Sequence, residues 1–273
     1  MNKKCKKKLK ETELEILDEI VRICEKHDIK YFLFYGTLIG CVRHKGMIPW
    51  DDDIDICMTR NDYNKFIKIA EIELNEKFIV DSIKTNKQYY LPFIKIRNKY
   101  TCFDEQNLNN KKYKGNKGIW VDILPLDYSK TNDSKLIKVK EWIAYRIFSL
   151  MVIKNINYKN KYLFLHYLLK IVPNRFLYFM YNLFIVSEKD KYDYLIPYAS
   201  INNLKNGIYN KNDIFPLIKK EFEGKMYNVP NKYDKILTVI YGDYMKLPPI
   251  EERVDHNPRK IIFEDKEEFL FDK

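Results

Sequence analysis

Between Trp50 and Ile56 the chain places four aspartates, Asp51, Asp52, Asp53 and Asp55, where the alternation of Ile54 and Ile56 calls for a strand. Residues two apart on a strand project from the same face, so Asp53 and Asp55 are expected side by side. Two unit charges about 5 Å apart at an effective dielectric near 20 repel by roughly 3 kcal/mol. A fold tolerates that cost when a divalent cation lies between the oxygens. A small set of hard oxygen ligands describes a Mg²⁺ or Mn²⁺ site that also holds a substrate phosphate. Two blander readings compete. A solvated acidic turn fits poorly, because Ile54, Ile56 and Met58 are apolar. A calcium loop would place Asp51, Asp53 and Asp55 at its first, third and fifth positions. It fails at the sixth, where Ile56 replaces glycine, and at the twelfth, where Asp62 replaces glutamate.

The chain has 273 residues, of which 46% are hydrophobic and 15% aromatic, enough for a packed core. Its formal charge of +11 favours anionic partners such as phosphates, nucleic acid or an acidic membrane surface. Five scattered cysteines, Cys5, Cys24, Cys41, Cys57 and Cys102, form no C-x-x-C pair. Reduced thiols and a cytoplasmic location are therefore expected. The basic N-terminus leads into Glu11, Glu13 and Glu15 rather than an apolar stretch, so it does not read as a signal peptide. The apolar run from Phe176 to Ser187 is too short to span a bilayer.

Leu14, Leu17, Ile20, Val21 and Cys24 recur at helical spacing and predict a helix over 11–27. Tyr31 to Tyr35 reads as a buried strand ending at Gly36, with Thr37 placed to cap a short helix towards Arg43. Thr59-Arg60-Asn61-Asp62 resembles a capping box, followed by a helix whose apolar face is Tyr63, Phe66, Ile67, Ala70 and Leu74. Strands are expected at Phe78–Ile83, Tyr90–Arg97 and Gly118–Leu124, and a helix from Tyr233 to Tyr241 stopped by Gly242. Asp122 is the sole acid in the apolar run Gly118–Leu124. An unpaired buried carboxylate is expensive, so Asp122 is expected to face the first two as a third ligand. The alternative is a carboxylate bonded to backbone N–H groups at a strand end.

No acid occurs from Trp142 to Ser187, while Arg146, Lys154, Lys159, Lys161, Lys170 and Arg175 interrupt aliphatic and aromatic stretches. Two or three basic amphipathic helices are expected there. They either lie on an anionic membrane surface or pack on the core with snorkelling lysines. The organisation expected is one catalytic domain over 1–273. Its core is 1–135 and 190–273, with 136–189 a basic helical subdomain.

Gly36-Thr37-Leu38-Ile39-Gly40, Arg43-His44-Lys45-Gly46 and Ile48-Pro49-Trp50-Asp51-Asp52-Asp53-Ile54-Asp55 closely resemble the LicD family of bacterial phosphocholine transferases, related to fukutin and fukutin-related protein. The likeness continues through Lys95-Ile96-Arg97, Gly118 to Asp127, Phe222-Glu223-Gly224 and Tyr241 to Pro249. It implies an α+β, nucleotidyltransferase-like fold: a mixed β-sheet flanked by helices, with a glycine turn ahead of an Asp-x-Asp strand and a third acid on a later strand. The matching positions are Gly36, Thr37, Asp53, Asp55 and Asp122. The gap from Thr37 to Asp53 is longer than in many members of the wider superfamily, and the central helical segment matches least.

The resemblance further implies transfer of phosphocholine from CDP-choline, or of another group from a CDP-linked donor, to a sugar hydroxyl of a cell-surface glycan precursor, lipid-linked in one version. CMP would leave, with Mg²⁺ or Mn²⁺ held by Asp53, Asp55 and Asp122 neutralising charge. Backbone N–H groups at Gly36 and Thr37 suit a phosphate. Arg43, His44, Lys45, Lys95 and Arg97 are candidates for the diphosphate. Trp50 is a candidate to stack on cytosine or choline, or else to anchor the Pro49 turn. Asp51 and Asp52 are read as orienting Lys or Arg side chains beside the site. Alternatives are donors of ribitol phosphate or glycerol phosphate and a template-independent RNA nucleotidyltransferase. A non-enzymatic basic binding module completes the set. No recognisable RNA-binding module is present, so nucleic acid is not expected as a partner.

Overall fold

The computed structural model describes residues 1–105, 115–155, 167–168, 170–200, 207–253 and 255–271. Helix α1 (Lys3–Lys26) begins well before the expected residue 11, because Asn2 caps it by accepting from the Cys5 N–H at 2.8 Å. Its buried stripe runs through Cys5, Leu9, Ile16, Leu17, Ile20 and Ile23. The lysine-rich first turns hide two members of that stripe among charges. Strand β1 (Tyr31–Leu33) and helix α2 (Tyr35–His44) follow. The helix starts at Tyr35, which carries a φ of 45°, so Thr37 lies inside it rather than capping it.

Strand β2 (Asp55–Thr59) leads into α3 (Arg60–Glu73), which Thr59 caps by accepting from the Asp62 N–H at 3.3 Å. Strands β3 (Phe78–Asp81), β4 (Ile94–Asn98), β5 (Cys102–Glu105) and β6 (Trp120–Ser129) complete the first half. β4 starts at Ile94 rather than Tyr90; Pro92 has no N–H for a ladder. β6 runs past Pro125, which stands opposite Met58 of β2.

Then come α4 (Ser134–Asn155), α5 (Asn174–Phe184), β7 (Tyr194–Ile196), β8 (Tyr209–Asn210), α6 (Lys211–Ile214), β9 (Ile218–Phe222), β10 (Lys225–Val229), α7 (Tyr233–Tyr241), β11 (Pro258–Ile262) and β12 (Glu268–Leu270). Gly242, at a φ of 68°, ends α7 as expected. The expected positions Lys159 and Lys161 fall outside the described residues.

The architecture is α+β. The main sheet is mixed, in the order β1-β2-β6-β4-β3, with β7 on the far end of β6 and β8 beside β7. Among the described residues of this sheet only β2 and β6 run parallel; the other pairs are antiparallel. Helices α1 and α3 pack together and onto its strands. Two smaller sheets, β9-β10 and β5-β11-β12, flank it. Helices α4 and α5 pair through Ile137, Ala144, Tyr181 and Ile185. Among the described residues no helix is long and apolar enough to cross a membrane.

Candidate active site

The parallel register of β2 and β6 decides the geometry: Asp55 stands directly opposite Asp122. The antiparallel register of β6 and β4 sets Lys95 opposite Asp122 on its other side. Asp53 lies just ahead of β2 rather than on it. The ladder nevertheless reaches Ile54, whose carbonyl accepts from the Asp122 N–H at 2.9 Å. Oxygens of Asp53, Asp55 and Asp122 all lie within 4.8 Å of one another.

Helix α2 positions the front of this cluster. Thr37 Oγ1 accepts from the Asp55 N–H at 2.8 Å, fixing the start of β2 against the helix. The N-terminus of α2 has no side-chain cap, leaving first-turn N–H groups of the kind that bind anions. At Gly36 a Cβ would stand 2.7 Å from Asp51 Oδ2, so the Asp51 carboxylate packs where any side chain would clash.

Electrostatically the cluster is overloaded with negative charge. Burial, with Asp53, Asp122 and Asp51 nearby, pushes Asp55 well above the usual carboxylate range. Burial and then Asp53 and Asp52 raise Asp51 to about 8. Asp53 is also raised by burial, with the His256 cation opposing and Asp122 and Asp52 adding. Lys95 Nζ offsets part of this, at 2.8 Å from Asp122 Oδ1 and 3.0 Å from Oδ2. It also sits 4.0 Å from the Trp120 ring centroid. Three close oxygens, two of them on the raised carboxylates of Asp53 and Asp55, fit a hard divalent cation such as Mg²⁺ or Mn²⁺.

The sequence profile of the family described as "LicD/FKTN/FKRP, nucleotidyltransferase domain" matches residues 28–183, more than half of the chain. This chain belongs to the LicD family. It is 32% identical over 259 residues to the lipopolysaccharide cholinephosphotransferase LicD of Haemophilus influenzae, covering 89% of this chain and 92% of that protein. Shorter stretches resemble two uncharacterized Rickettsia proteins. The one from Rickettsia typhi is 36% identical over 77 residues, 28% of this chain and 24% of that protein. The one from Rickettsia prowazekii is 31% identical over 122 residues, 37% and 45% respectively.

In this LicD-family chain the remaining expected residues divide into groups. Arg43 and His44 sit beside Trp50. Arg43 Nε donates to His44 Nε2 at 2.9 Å, which needs the unprotonated imidazole nitrogen that burial and Arg43 both favour. Arg43 Nη1 donates to the Tyr244 carbonyl at 2.6 Å. Arg253 covers Trp50, its Cζ 4.6 Å from the ring centroid, while Arg43 lies at 5.8 Å. Lys45 turns to the β9-β10 hairpin, where its ammonium is 3.6 Å from Glu221. Arg97 is bound to Asp81 at 2.8 Å and to the Gly118 carbonyl at 2.7 Å, so its guanidinium braces β3 and the segment leading into β6.

Asp52 does not hold a Lys or Arg. Its carboxylate accepts from the His256 backbone N–H at 3.1 Å and pairs with His256 Nδ1 at 2.8 Å. His256 Nε2 lies 3.8 Å from Asp53. Burial alone would lower His256, but the Asp52 bond and the Asp53 charge push it up to about 10. His256 then stands as a cation beside the acids, and its ring, Asp52 and Asp53 form a second group whose ligand atoms lie within 4.8 Å of one another. Sequence reasoning missed His256, Arg253 and Glu13. Glu13 is a buried acid of α1 raised by burial and by Asp53 and Asp52. Its signal was legible, since it occupies the buried stripe of α1. His256 is 204 residues from Asp52 and carried no such signal.

Proposed function

We propose that the chain is a phosphotransferase that moves phosphocholine from CDP-choline to a sugar hydroxyl of a cell-surface glycan, releasing CMP. The observation that carries this reading is the convergence of Asp53, Asp55 and Asp122 in a chain akin, over nearly its whole length, to a cholinephosphotransferase. We read the glycine turn into α2, acid-bearing β2 and its parallel neighbour β6 as a nucleotidyltransferase-like arrangement. Asp53, Asp55 and Asp122 would hold Mg²⁺ or Mn²⁺. The cation supplies neutralisation of charge on the transferring and leaving phosphates.

The protein's own groups do the rest. First-turn N–H groups of α2 at Gly36 and Thr37 bind a phosphate, and the bare Gly36 leaves room for the Asp51 carboxylate packed against it. Lys95 holds positive charge at Asp122, and Arg43 and Arg253 around Trp50 form a cationic wall for the diphosphate. The acceptor hydroxyl oxygen attacks the β-phosphorus of CDP-choline. The bond from that phosphorus to the oxygen bridging the α-phosphate breaks, and CMP departs with the electron pair. The hydroxyl proton passes to one carboxylate of the trio, which then serves as the base instead of as a cation ligand.

Purified protein given Mg²⁺ and, in turn, CDP-choline, CDP-ribitol and CDP-glycerol with a glycan acceptor tests this. CMP release is expected with CDP-choline and is expected to stop in excess chelator. Release only from another CDP-linked donor would move the head group, and turnover undiminished by chelator would contradict the cation.

A further inference from the structure

The pair α4 and α5 carries a surface that the transfer chemistry does not use. Beneath, Ile137, Ala144, Tyr181 and Ile185 anchor the pair. Outward, α5 presents Phe176, Phe179 and Leu183 at helical spacing, with Phe179 58% and Leu183 63% exposed. On α4, Leu136, Val139 and Trp142 form a second outward stripe, with Trp142 58% exposed and Arg146 lying over its ring at 5.2 Å. Water-facing aromatic and aliphatic stripes of this kind mark a contact surface, since isolated exposed apolar residues scatter rather than line up.

We propose that this outer face of α4 and α5 docks on an anionic bilayer surface. Charge selects the occupant. The sequence holds no acid from Trp142 to Ser187, while Lys135, Lys138, Lys140, Arg146 and Arg175 surround the stripes. Of the acids that bound the stripes, Glu141 is half-buried, Glu188 accepts from Asn64 at 2.6 Å, and exposed Asp133 accepts from the Lys135 N–H at 2.8 Å. Exposed Trp and Phe between basic side chains suit the headgroup boundary, where the rings enter the acyl edge and the cations meet lipid phosphates. A second copy of the chain is disfavoured as occupant, because it would bring a like-charged face, and the whole chain is +11. With no described helix able to cross a bilayer, the pair would lie on the surface.

The test is co-sedimentation of the full chain with vesicles of phosphatidylglycerol and phosphatidylcholine in equal parts, against pure phosphatidylcholine. Partition is expected on the anionic vesicles, falling as salt rises. The double variant Phe179→Glu/Leu183→Glu is expected to partition at least tenfold more weakly. Ile72→Glu, at a still more exposed apolar site on α3, is expected to behave as the parent. Both sets of substitutions are at the surface, and circular dichroism confirms that each variant is folded. Absence of partition by the parent, or partition untouched by the double variant, would overturn the proposal. So would a dimer seen by sedimentation velocity that the double variant dissolves.

Discussion

At the scale of single residues, the acids near Asp53 hold more charge than the ion-free protein can accommodate. Asp55 is the sharpest case, because burial and three neighbouring aspartates all oppose its ionisation. Asp55→Asn is expected to abolish CMP release yet raise the stability of the ion-free protein by about 1–3 kcal/mol near neutral pH. The sign follows from the raised native pKa. The cost of Asp55 appears as pH rises past about 3.9, where the unfolded carboxylate ionises, and is absent below it. Urea denaturation at pH 7 and pH 3.5 should therefore show a gain that disappears in acid. A variant less stable than the parent at pH 7 would contradict the picture. His256 works in the opposite sense. Raised to about 10, it contributes stability that is full below about pH 6.5 and lost as pH climbs towards 10. His256→Gln should lower the melting temperature most at pH 6 and least at pH 10. A deficit that grows with pH would count against the Asp52–His256 pairing.

At the scale of elements, one buried ion pair ties the helical region to the sheet. Arg60, the first residue of α3, donates through Nε and Nη2 to Asp127 of β6, both at 2.8 Å. Asp127 also accepts from the Ser187 N–H at 3.1 Å, just beyond α5. Asp127→Asn leaves the buried Arg60 uncompensated and should cost about 3–5 kcal/mol in denaturant unfolding. Arg60→Met with Asp127→Leu should cost much less. Equal costs would show that the pair matters for packing rather than charge.

Elements like these were legible in the sequence where local signals agree with the fold. The Thr59 cap, α3 and the Gly242 stop follow from capping chemistry and apolar spacing. Asp122 was found because an acid in an apolar run demands a partner. What local signals miss is tertiary. Thr37 looked like a helix cap, but Phe34 takes that position and Thr37 is free to receive the Asp55 N–H. Asp53 was expected on the strand, but pairing begins at Asp55, and the acids meet because β2 and β6 run parallel. Arg97 offered the same charge as Lys95. The sheet register sets Lys95 between Asp122 and Asp81, and Arg97 reaches diagonally to take Asp81 while Lys95 turns to Asp122.

At the scale of the molecule, charge is segregated. A chain of net +11 gathers Asp51, Asp52, Asp53, Asp55 and Asp122 at one point, where β2, β6, the α2 turn and the tail bearing His256 come together. Protons and His256 compensate that point in the absence of a cation. Cation binding should therefore displace protons from Asp53 and Asp55, which burial and their acidic neighbours hold above the usual carboxylate range, and affinity should weaken as pH falls. The most direct measurement is a Mn²⁺ titration followed by electron paramagnetic resonance, on the parent and on Asp53→Asn, Asp55→Asn and Asp122→Asn. Saturable binding by the parent that weakens at least tenfold in each variant is the expected result. Parent-like Mn²⁺ binding in all three variants, or none in the parent, would contradict a cation held by these three carboxylates.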